Sequence, residues 1–228
     1  MSEQAMSIEV PESDWLMTRH SREPLPKRSA RAVVAPPLHL RAPVWDRPVP
    51  VADGQRPPLV WLLGAHGGAG TTSLERLLAP AADCYRRWPA PIRPESPYVL
   101  VVARETAIGL AAADALLRQH HAGLAGVVSV IGLVTVAARP GRIPAPIRRD
   151  RELYGGLVEH MWRVGWHEAW TTTSHRELPV WTPGDEIPAK GRDDLASPPP
   201  DITRLGQEVL EAIDTLHHRR SERNGGMR

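Results

Sequence analysis

The sequence predicts a small α/β domain three layers deep, a mostly parallel sheet between helices, with a glycine-rich loop joining the first strand to the first helix. Three observations carry that expectation. An unbroken apolar run at 59–63 and further mainly apolar runs at 98–103 and 127–136 have the length of buried strands. Segments with helical apolar spacing alternate with them, the pattern of a parallel sheet. Gly64, Gly67, Gly68 and Gly70 follow directly on the first run.

In chain order, residues 1–57 mix Pro, Arg, Glu and Ser without a period and are read as a disordered Pro/Arg-rich arm. Its two apolar islands, Trp15-Leu16-Met17 and Val44-Trp45, are candidate docking motifs. The α/β domain is expected over 58–170. After the first strand, a helix over 72–82 carries Leu74, Leu77, Leu78 and Ala81 on one face. Prolines 89, 91, 94 and 97 make the stretch before Tyr98 a connection. A helix over 106–119, with Gly123 as its stop, precedes the third strand. Another helix over 147–161 and a short strand within 164–170 complete a sheet of about four strands. A Pro-rich linker (171–200) leads to an amphipathic helix (201–219) with Ile202, Leu205, Val209, Ile213 and Leu216 at helical spacing, read as covering an edge of the domain. Residues 220–228 are expected to be a disordered tail.

Composition narrows the function classes. The net charge of +2 is too small and too spread to mark a nucleic-acid surface, so direct nucleic-acid binding is not expected. A single cysteine, Cys84, can form no internal disulfide, which fits a reducing cytoplasm. No run reaches the roughly 18 apolar residues of a membrane helix, and the acidic N-terminus is unlike an export signal. Membrane insertion is not expected. The cluster His160, Trp162, Trp166, His167, Trp170 and His175 lacks metal-site spacing and is read as packing. No serine sits in a nucleophile elbow, so no catalytic residue is assigned.

A phosphate-binding loop needs glycines because backbone N–H groups must converge on an anion that a Cβ would obstruct. Residues 65–72 follow the P-loop pattern of glycine, four residues, glycine, lysine and serine or threonine, with two departures. Ala65 replaces the first glycine, and Thr71 stands where the lysine belongs. Thr72 is retained as a Mg²⁺ ligand, should a Mg-nucleotide bind.

His66-Gly67-Gly68-Ala69-Gly70-Thr71-Thr72 resembles the deviant Walker A of the ParA/MinD family, lysine-glycine-glycine-any-glycine-lysine-threonine. His66 takes the place of the signature lysine, and Thr71 that of the general one. The runs at 98–106 and 130–136 with Arg139-Pro140-Gly141 are similar to later strands of that family; Thr135 stands where an adenine-site asparagine is frequent. The resemblance implies ATP with Mg²⁺ as cofactor and Gly64, His66, Gly67, Gly68, Ala69, Gly70, Thr71 and Thr72 as its binding residues. No apolar strand ending in aspartate is visible between the first helix and Tyr98 to act as a metal partner, so hydrolysis is not expected. Losing the lysine removes a charge-assisted contact worth roughly 1.5–3 kcal/mol. The expected function is that of a degenerate ParA/MinD-like adaptor or regulator with weak or vestigial nucleotide binding. It would act through a protein partner or a homodimer, in a plasmid, conjugation, segregation or secretion setting. The competing expectations are a hydrolase completed in trans by a dimer mate or partner, and a scaffold without a ligand.

Overall fold

The structure, a computed structural model, describes residues 33–51, 57–90, 95–186 and 195–225. Five strands, β1 (Val60–Gly64), β2 (Ala81–Asp83), β3 (Tyr98–Arg104), β4 (Ser129–Val136) and β5 (His160–Val164), form one all-parallel sheet in the order β2-β1-β3-β4-β5. Four helices flank it: α1 (Thr71–Leu77), α2 (Ala107–His121), α3 (Ala145–Gly155) and α4 (Pro200–Gly225).

Each face of the sheet has its own apolar layer, which is why the central strands β1 and β3 read as nearly continuous apolar runs. On one face Leu62, Leu100, Val102 and Val134 pack against Leu74 and Leu77 of α1 and against Ile202, Leu205, Val209 and Ile213 of α4. On the other, Trp61, Leu63, Val99, Val101 and Ala103 meet Ala113, Leu116 and Leu117 of α2. Thr106 caps α2 by accepting the Gly109 N–H at 3.0 Å.

Among the described residues no helix bridges β2 to β3. Cys84, Trp88 and Val49 fill the layer beside α2 instead. Residues 33–51, read from the sequence as part of the arm, are stitched there by hydrogen bonds. The Trp45 N–H donates to the Trp88 carbonyl (2.8 Å), and the Trp88 N–H to Pro43 (2.9 Å). The buried Gln119 amide accepts from the Ala42 N–H (2.9 Å) and donates to its carbonyl (2.8 Å). Burying Val49 contributes roughly 1.5–3 kcal/mol and Trp88 adds more, which helps to offset the entropy of ordering this segment. Val44-Trp45 therefore docks on the domain itself, whereas Trp15-Leu16-Met17 and the rest of the arm up to residue 32 lie outside the described residues. Residues 226–228 of the expected tail lie outside them too.

Further boundaries differ from expectation for local reasons. Helix α1 ends at Leu77, because Pro80 disfavours helix just before it, and the chain turns into β2, raising the strand count to five. Gly155 and Gly156 end α3 early and release β5 at 160–164 rather than within 164–170. The expected Pro-rich linker places Leu178 and Trp181 in the core, the latter over Gly206 of α4. Helix α4 covers a sheet face rather than an edge. Among the described residues no helix is long and apolar enough to cross a membrane.

Candidate functional site

The chain leaves β1 toward β2 and then crosses back to β3, so the strand order reverses between β1 and β3. In open α/β sheets such a reversal opens a crevice at the carboxyl ends of the strands, where ligands bind. The loop after β1, from Gly64 to Thr71, and the β3 end at Arg104 meet there.

Within the loop, Gly68 (φ +77°) and Gly70 (φ +104°) occupy left-handed backbone that favours glycine. A Cβ on Gly64 would press on Thr71 Cγ2 at 3.2 Å. Gly67 is different: its φ is not left-handed, and no atom beyond its own chain neighbours lies within 4 Å of the position a Cβ would take. The fold does not require a glycine there. Gly67 and Gly68 are exposed, and no acceptor among the described residues takes the N–H of Gly67, Gly68 or Gly70. Ala69 is buried as the loop's anchor.

His66 does not project outward as a substitute cation. The Arg104 N–H, which can only donate, points to its Nε2 at 3.2 Å, so the proton sits on Nδ1, 2.8 Å from the Gly67 carbonyl. The ring clamps the loop to β3. Gly109 makes the seat, since a Cβ there would stand 2.8 Å from Nε2. The cation at the loop comes from Arg104, whose Nε donates to the Gly68 carbonyl (3.1 Å) and whose Nη1 donates to Ala137 (2.8 Å). Nη2 has no partner among the described residues. Sequence reasoning missed Arg104; its only signal was a charged residue closing an apolar strand at the carboxyl edge.

An aspartate at a strand end does exist. Strand β2 pairs with β1 and ends in Asp83, whose Oδ2 accepts from the Thr71 hydroxyl at 2.6 Å. Its Oδ1 accepts the Tyr85 N–H at 2.8 Å. The expectation that no strand ends in aspartate fails because Ala81-Ala82-Asp83 is too short and alanine-rich to read as a strand. Just beyond it, Tyr85 (φ 57°) and Arg86 (φ 58°) both adopt the left-handed region, at a cost of roughly 1–3 kcal/mol each. Thr72 is exposed and lines a separate cleft with Glu75 and Arg76 at the β2 edge.

Beside the crevice, Glu105 is 8 % exposed and bound by Arg163 through two hydrogen bonds of 2.8 and 3.0 Å. Thr135 donates to the same carboxylate (3.2 Å) and accepts from Arg151 (2.8 Å). Burial holds the Arg151 guanidinium below its ordinary pKa, opposed by nearby Glu105. Thr135 is thus enclosed in an ion-pair network that ties α3 to the sheet.

The aromatic cluster separates into pieces. His160 stacks on Trp162, whereas His167 stacks on Trp170 with centroids 4.0 Å apart. His167 Nε2 lies 3.0 Å from Asp201 Oδ2, and the same oxygen accepts the Gly165 N–H at 2.7 Å. His167 and Trp170 line a cavity of about 150 Å³ together with Gly70, Ser73 and Arg104. The cavity adjoins the glycine loop. Among the described residues no group of three or more His, Cys, Asp or Glu could hold a metal ion.

No curated protein and no solved structure gives a significant match to the chain. The model of a family of unknown function, DUF6668, matches residues 58–172, half of the sequence with all five strands and the glycine loop, and the chain belongs to that family.

Proposed function

We propose that this protein is a weak phosphate-binding adaptor, in which the glycine loop holds the phosphates of a nucleotide without hydrolysing them. Gly67 carries the reading: a glycine demanded neither by backbone angle nor by packing, in a loop where the N–H groups of Gly67, Gly68 and Gly70 have no acceptor among the described residues, is explained by the close approach of an anion. Arg104 brings a positive charge to the loop, and so stands in for part of what Thr71 and His66 do not supply in the ParA/MinD-like pattern.

The residues present do not fit a resident Mg²⁺. Asp83 has both oxygens engaged, by Thr71 and by the Tyr85 N–H, and Thr72 opens to the far cleft beside Glu75. No step is therefore assigned to a metal or an activated water. The adaptor role draws support from α3, which has no buried residue and leaves Leu153 57 % exposed. With α2 and Val33-Val34 it bounds a groove of about 440 Å³ suited to a protein partner.

Calorimetric titration of ATP and ADP, with and without Mg²⁺, tests the reading. The expected Kd is roughly 0.1–1 mM, equivalent to about 4–5.5 kcal/mol. Gly67→Ala should abolish binding while leaving the melting temperature unchanged. Measurable turnover would favour a hydrolase completed in trans, and no binding at millimolar nucleotide would leave a scaffold.

A further inference from the structure

We propose that the chain's own acidic N-terminal segment, residues 1–17, docks Trp15-Leu16-Met17 into the groove between α2 and α3. The inference goes beyond the nucleotide reading. It rests on the adaptor role only in using the same groove, which a partner would then reach by displacing the segment.

Three observations select this occupant. The first is the groove's apolar lining: Val34 is 74 % exposed and Leu153 57 %, and Tyr154 and Leu157 line the same hollow. Its two charged side chains, Asp114 and Arg118, pair with each other at 2.9 Å, which leaves apolar contacts to carry the binding. A tryptophan anchor beside a leucine and an adaptable methionine suits such a surface.

Charge is the second. Residues 139–151 hold five arginines against one acidic residue, Asp150. Arg151 is engaged by Glu105 and Thr135, but Arg142, Arg148 and Arg149 are exposed and form no ion pair among the described residues. Arg149 stands one turn before Leu153 on the same face of α3. Residues 1–17 carry Glu3, Glu9, Glu12 and Asp14 with no Lys or Arg, and the last two sit just before the tryptophan. Residues 18–32 hold five basic residues against Glu23 alone, so α3 repels them. The charge pattern thus singles out the part of the arm that bears the apolar island.

The third is attachment. The described chain begins at Val33, which itself lines the groove. The fifteen residues 18–32 reach at most about 50 Å, ample to fold Trp15 back onto α3. A short tether gives an effective concentration on the order of millimolar, so even a weak contact is occupied.

Disulfide trapping in the full chain tests the contact. Thr18→Cys stands beside the island, Glu152→Cys is exposed on α3, and Glu211→Cys is exposed on α4 over the opposite sheet face. Cys84 is buried and stays out of the exchange. Under mild oxidation the Thr18→Cys/Glu152→Cys pair should close within one chain at least about tenfold faster than the Thr18→Cys/Glu211→Cys pair. Adding Trp15→Ser with Leu16→Ser, or adding Leu153→Asp, should bring the two rates within about twofold, and high salt should narrow the gap. Equal rates from the outset, or a gap that survives either change, overturns the proposal. A disulfide that joins two chains overturns it in favour of a second copy. None of these outcomes bears on the nucleotide titrations, so the arm contact and the loop reading fail separately.

Discussion

The Thr71 hydroxyl donates to Asp83 Oδ2 at 2.6 Å, joining the start of α1 to the end of β2 across the mouth of the glycine loop. The other oxygen of Asp83 holds the Tyr85 N–H, at the entrance to two consecutive left-handed residues. Asp83→Ala removes both acceptors at once. It should lower stability by about 1–3 kcal/mol, read as a shift in the urea midpoint.

Two glycines of the same loop should behave oppositely. Gly70→Ala forces a Cβ onto a φ of +104° and should cost about 1–2 kcal/mol. Gly67→Ala meets open space and should change stability by less than about 0.5 kcal/mol. Parallel denaturation curves of the two variants provide the comparison.

A Cβ on Gly206 would collide with the fully buried Trp181 ring. Gly206→Ala should destabilise the protein by about 1–3 kcal/mol through overpacking, even though alanine is the better helix former. Altered tryptophan fluorescence should accompany the shift.

Burial alone would raise the Asp201 pKa, but His167 and the N–H groups of Gly165 and Ile202 outweigh it and hold the carboxyl below its ordinary value. A depressed folded-state pKa contributes stability above the unfolded value, and that contribution fades as pH falls through about 4 and below. Asp201→Asn should therefore lower the urea midpoint at pH 7, and the gap to wild type should narrow toward pH 3. An equal gap at both pH values would assign the effect to packing instead.

Cys84 is fully buried, and desolvation, reinforced by neighbouring Asp83, pushes its thiol pKa far above the usual cysteine range. It should resist thiol reagents in native buffer at pH 8 and react only on unfolding in denaturant. Stoichiometric labelling of the native protein would show that the layer around Trp88 opens readily.

The layer architecture was legible from the residues alone, because β1, β3 and most of β4 are buried and are therefore written as mainly apolar runs. The loop was legible too, since left-handed backbone at Gly68 and Gly70 leaves a visible glycine pattern. The remainder depends on contacts between distant parts of the chain. Strand β2 exists because β1 offers it a pairing edge, not because Ala81-Ala82-Asp83 favours extension. Residues 33–51 and Trp181 are ordered by cavities left elsewhere in the fold, which no local period records. The site itself joins Gly70, Arg104 and Trp170 from three distant stretches of chain. Their meeting depends on a parallel sheet that brings the carboxyl ends of its strands to one edge.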